Sequence, residues 1–171
     1  MGTMTPTQAL LAAIFAFMLH VSPRPEVVAS IDEAATAEGV PVERLAAVCF
    51  IESTLGEGRP ALLCGYQGHV SEAERTTWAW GAPIDRSNPH WQAHHAARAL
   101  RRWYASVCVR GPVEQRWRAA TSFYNTGARC DATTRYATDV AATVVQVQWG
   151  LAHADEVMSR AAAGEERVCA R

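Results

Sequence analysis

The stretch from Ala35 to Leu55, ATAEGVPVERLAAVCFIESTL, decides how this chain is read. Gly39 closes one helix, and Pro41, whose ring presets φ, opens the next. Behind the proline, Leu45, Val48, Cys49 and Leu55 recur at helical spacing and form an apolar face. Glu52 comes seven residues after Leu45, four after Val48 and three after Cys49, so it falls on that same face. A carboxylate placed there is desolvated, which favours its protonated form nearer neutral pH, the state a general acid needs. The alternative is a glutamate at a helix end that reaches out to solvent.

Outward from this stretch the pattern stays helical. Glu26 to Glu38 reads as the preceding helix, and the helix from Pro41 ends near Leu55 at Gly56 and Gly58. Residues 57–70 are loop-like, Ser71-Glu72-Ala73-Glu74 is a capping-box pattern, and Gly81 to Pro89 is a second loop. Trp91 to Cys108 is the clearest amphipathic helix, with Ala93, Ala96, Ala97, Leu100, Trp103, Tyr104 and Val107 on one face and Arg98, Arg101 and Arg102 largely on the other. Helices are further expected over Val113 to Asn125 and Tyr136 to His153. No sustained period-two run of β-branched residues exists, so the fold class is mainly α with little or no sheet.

The chain has 171 residues, 49% hydrophobic and 19% charged, a globular composition for one domain. Its 16 basic residues are all arginine, and the formal net charge is −1. That near-neutral balance, without a recognition motif, argues against a nucleic-acid partner. Residues 9–21, ALLAAIFAFMLHV, form an apolar run of 13, too short for a spanning helix but suited to a signal-peptide core. We therefore set residues 1–25 apart as an export signal or membrane-associated anchor, 26–155 as the domain, and 156–171 as a charged tail. A buried first helix is the alternative for the apolar run. The five cysteines lack a C-x-x-C pair, and no thiolate metal site is expected. In an exported chain at least one bridge is expected among Cys64, Cys108 and Cys130, with the pairing open. Buried apolar thiols are the other reading. His90, His94 and His95 read as a solvated helix start, since no H-E-x-x-H pattern or third ligand accompanies them.

Four motifs in order resemble one family. Ile51-Glu52-Ser53-Thr54-Leu55 is similar to the Glu-Ser motif of the soluble lytic transglycosylases, which share a goose-lysozyme-like fold. The Gly39-Val40-Pro41 turn resembles the family's entry into the motif-bearing helix. Gly65-Tyr66-Gln67 resembles its Gly-Leu-Met-Gln segment, displaced by one residue and with Tyr66 at the methionine. Phe123-Tyr124-Asn125-Thr126-Gly127 resembles its Ala-Tyr-Asn-Ala-Gly segment, with Thr126 at the second alanine. Tyr136 stands 11 residues after Asn125, where the family places another active-site tyrosine. The resemblance covers roughly residues 27–150.

The resemblance implies a lysozyme-like helical domain that cleaves the β-1,4 bond between N-acetylmuramic acid and N-acetylglucosamine in peptidoglycan. Glu52 would act alone as acid and then base, leaving a 1,6-anhydro product. Ser53, Gln67, Tyr124, Asn125 and Tyr136 would bind substrate or orient the acid. No metal or cofactor is implied. The partner would be peptidoglycan glycan strands, in the periplasm or cell envelope or on a phage. The settings are wall remodelling, a secretion or conjugation accessory role, or phage lysis and assembly. Two rivals stand beside this reading. If Glu57, Asp85 or Asp131 opposed Glu52, water could attack and the protein would be a lysozyme-type hydrolase. A non-catalytic peptidoglycan-binding module is the other.

Overall fold

The computed structural model describes residues 3–57, 63–65, 88–106, 110–127 and 131–164. These form seven α-helices and no strand: α1 (Pro6–Leu19), α2 (Pro25–Glu38), α3 (Val42–Ser53), α4 (Pro89–Tyr104), α5 (Val113–Thr126), α6 (Arg135–Ala152) and α7 (Ala154–Ala162). The mainly helical class expected from periodicity is what the chain adopts. Helix starts follow local chemistry. Thr5 and Gln8 close a reciprocal capping box at α1, Asn88 caps α4 through His90 N and Trp91 N, and Thr134 caps α6 through Ala137 N. Gly39 and Gly127 end α2 and α5 in the left-handed conformation.

The apolar run at the amino terminus contributes to the core. Leu11, Ile14 and Phe15 of α1 are fully buried, and α1 packs on α2, α6 and α7. The approach to α6 is close: a Cβ on Gly150 would lie 2.7 Å from Ile14 Cγ1. Residues 6–19 thus form a helix packed into the core. No described helix is long and apolar enough to cross a membrane. Helix α7 turns off α6 at His153 and buries Val157. The capping-box pattern at 71–74 lies outside the described residues.

Helix α3 packs against α2, α4 and α6, while α5 lies against α4 and α6. Buried Arg44 of α3 forks onto both carboxylate oxygens of Glu114 on α5, which holds that carboxyl below its ordinary value. The histidines depart from the solvated-start expectation. His90 meets Glu33 at 3.3 Å near the surface, but His94 and His95 are buried where α2 covers α4. Glu38 of α2 reaches His94 Nδ1 at 3.2 Å and Arg98 Nε at 2.8 Å. Arg98 therefore belongs to a helix interface, not to an open basic face. Among the described residues no group of three or more acidic, histidine or cysteine side chains is arranged to hold a metal ion.

Candidate active site around Glu52

Glu52 sits in the last turn of α3, where the chain leaves the helix abruptly. Thr54 and Leu55 both take positive φ of 54°, followed by Gly56 at 87°. Left-handed backbone costs a non-glycine residue roughly 1–2 kcal/mol, so surrounding contacts must enforce it. They are visible. Leu55 N–H donates back to Cys49 O, Gly56 N–H donates to Ser53 Oγ at 3.0 Å, and the Leu55 side chain is buried.

The short segment Leu63-Cys64-Gly65 returns across the end of α3. A disulfide joins Cys64 to Cys49, one turn before Glu52 on α3. The Ser53 hydroxyl donates to Leu63 O, and Leu63 N–H donates to Gln92 Oε1 of α4. Tyr124 of α5 donates its hydroxyl hydrogen to Cys64 O at 2.6 Å. Leu63 and Cys64 are buried. By the chain-entropy argument, closing the 15-residue loop between the two cysteines stabilises the fold by about 3 kcal/mol.

This strap forms one wall around the carboxyl. Gly65 has φ +69°, and a Cβ there would overlap Oε2 and Cδ of Glu52. The carboxyl thus occupies the space that only glycine leaves open. From the other side, Tyr136 of α6 donates its hydroxyl hydrogen to Glu52 Oε1 at 2.6 Å. Burial, then the Glu52 charge, then neighbouring Tyr124 push the Tyr136 hydroxyl far above the ordinary tyrosine value. It therefore stays protonated and remains a donor. Glu52 Oε1 thus accepts from a hydroxyl that does not give up its proton.

Of the residues singled out from sequence, Glu52 and Tyr136 meet directly, and Tyr124 joins them through the strap and beside Tyr136. Ser53 is buried, and its hydroxyl holds the strap and the helix end. Asn125 is exposed at the end of α5. Gln67 lies outside the described residues. Cys64 pairs with Cys49, a partner outside the expected trio of Cys64, Cys108 and Cys130, because α3 and the strap lie directly against each other. Cys108 and Cys130 lie outside the described residues. Sequence reasoning missed Cys49 and Gln92 as parts of this site. Cys49 reads as one residue of an apolar helix face, and Gln92 carries no signal.

The rival carboxylates have other partners. Glu57 Oε1 accepts from Ser22 N–H at 2.8 Å, and Asp131 Oδ1 accepts from Thr133 N–H at 2.8 Å and from its hydroxyl at 2.6 Å. Glu57 lines a cavity of about 260 Å³ with Ser22, Arg24, Leu55 and Leu63, and Glu52 is not among its described lining residues. Asp85 lies outside the described residues. Comparison with protein-family models, curated proteins and solved structures found no match for this chain.

Proposed function

We propose that the protein is a peptidoglycan lytic transglycosylase that uses Glu52 as its single acid and base. The observation that carries this reading is the seating of the Glu52 carboxyl between the Tyr136 hydroxyl and Gly65. A half-buried carboxyl with one oxygen fixed by a permanent donor suits general acid–base work. The order of the Glu-Ser, Gly-Tyr-Gln and Tyr-Asn motifs, resembling that family, supplies the substrate class. The engagement of Glu57 and Asp131 with backbone N–H groups supports a single-carboxylate mechanism over the hydrolase alternative.

In this mechanism Glu52 protonates the glycosidic oxygen as the bond to the muramyl C1 breaks. The substrate's acetamido group stabilises the oxocarbenium-like state. The Glu52 carboxylate then takes the proton of the muramyl 6-hydroxyl as that oxygen attacks C1, which closes the 1,6-anhydro ring. The Tyr136 hydroxyl keeps the carboxyl in one orientation throughout and stabilises its ionised form after the first transfer.

Mass spectrometry of digested peptidoglycan tests the reading. Anhydro-muropeptides are the expected products. Reducing muropeptides would replace the transglycosylase with a hydrolase, and binding without any product would leave a non-catalytic module.

A further inference from the structure

Five interactions converge on three residues. The strap Leu63-Cys64-Gly65 is tied to α3 by the Cys49–Cys64 disulfide and the Ser53 hydroxyl, to α4 by Gln92, and to α5 by Tyr124, while Gly65 lies against the Glu52 carboxyl. Only one of these ties is covalent. It lies next to the contact that matters, because Cys64 precedes Gly65 and Cys49 precedes Glu52 by one helical turn.

We infer that Cys49 and Cys64 are positioning residues: their disulfide holds Gly65 against Glu52 and thereby fixes the carboxyl on the Tyr136 hydroxyl. The inference rests on the proposed activity for its catalytic consequence, but the geometric claim stands apart from it. On the amino-terminal side of the strap α3 ends in two left-handed residues that the strap's own ties help to hold. Without the disulfide, Gly65 is held only through the hydrogen bonds that Ser53, Gln92 and Tyr124 make to Leu63 and Cys64, and its contact with the Glu52 carboxyl loosens. A misplacement of about 1 Å in a reacting group costs on the order of 100-fold in rate. The loss belongs in kcat, because the acid and not the sugar contact is disturbed.

The test compares the full-length wild type with Cys49→Ala/Cys64→Ala. Two readouts are needed: steady-state kinetics on peptidoglycan, and NMR detection of the Tyr136 hydroxyl proton bonded to Glu52. Expected is a fall in kcat of about 100-fold with KM little changed. Loss of the Tyr136 hydroxyl signal should accompany it while the helical circular dichroism persists. A variant that is less heat-stable but keeps both kcat and the hydroxyl signal would overturn the inference. If the double variant does not fold, Ser53→Ala loosens the same strap at Leu63 and should lower kcat and weaken the signal in the same sense. Unchanged values there would also overturn it. If wild type cleaves no peptidoglycan, the functional reading fails. The hydroxyl signal then decides the positioning claim alone.

Discussion

Tyr136 donates its hydroxyl hydrogen to Glu52 Oε1 at 2.6 Å, across 84 residues of sequence. The tyrosine rises from the first turn of α6, and the glutamate from the last turn of α3. Those two helices pack together, so the hydrogen bond is set by rigid elements and not by loops. That rigidity is what a proton-transferring carboxyl needs.

Glu52→Gln should abolish most activity while preserving the fold. The amide oxygen can still accept from Tyr136, but the acid is gone. General acid–base catalysis contributes roughly 10²–10⁴-fold, and peptidoglycan cleavage should fall by at least that order. Glu57→Gln is the control. Its carboxylate caps Ser22 N–H, so the variant should keep most activity with a modest loss of thermal stability. Comparable loss of cleavage in both variants would instead indicate a two-carboxylate hydrolase.

Tyr136→Phe removes one hydroxyl and keeps the ring. Hydrogen bonds to charged groups are worth about 1.5–3 kcal/mol, which corresponds to a fall in kcat of roughly 10- to 100-fold. Kinetics on soluble peptidoglycan fragments check it. A variant with wild-type kcat would remove Tyr136 from the mechanism.

Gly65→Ala should be more damaging than Gly39→Ala, although both residues have nearly the same positive φ, +69° and +65°. Each substitution carries the left-handed penalty of about 1–2 kcal/mol. At Gly39 a Cβ meets nothing within 4 Å, whereas at Gly65 it overlaps the Glu52 carboxyl. Paired melting curves and activity assays separate the two costs. Gly39→Ala should lose stability only. Gly65→Ala should lose activity as well, because Glu52 must move.

Stability should fall as pH drops from about 6.5 toward 4, and His95 is one cause. Burial, followed by the Arg98 charge, lowers its pKa from 6.5 to about 4, with Glu38 opposing and nearby His94 adding to the fall. In that window the unfolded chain binds a proton that the folded chain refuses, so acid favours unfolding. The full effect is at most about 3 kcal/mol below pH 4, and it vanishes above pH 6.5. Denaturant melts of His95→Phe, which keeps the ring contact with Trp91, should depend less on pH across this range than those of wild type. Parallel slopes for the two proteins would assign the acid sensitivity to other groups.

Much of the fold was legible because helix signals are local. Gly39, Pro41, Gly127 and the apolar spacing of Ala93, Ala96, Ala97 and Leu100 act within a few residues of themselves, and each marks an element the chain forms. The placement of Glu52 on the apolar face of α3 follows from the same periodicity. The histidines show the limit of such signals. His94 and His95 look solvated when α4 is considered alone, and only the covering helix α2, with Glu38, buries them.

What surrounds Glu52 is of the second kind. The composition and spacing of this chain dictate a helical domain with a carboxylate set among apolar neighbours, since those depend on contacts one or two turns apart. They do not choose Cys49 over Cys108 or Cys130 as the partner of Cys64, nor say that Gln92 and Tyr124 tie down the same three residues. Those ties span 15, 29 and 60 residues of sequence. No local rule carries over such distances. They arise only when α3, α4 and α5 have packed and brought three separate surfaces onto one strap.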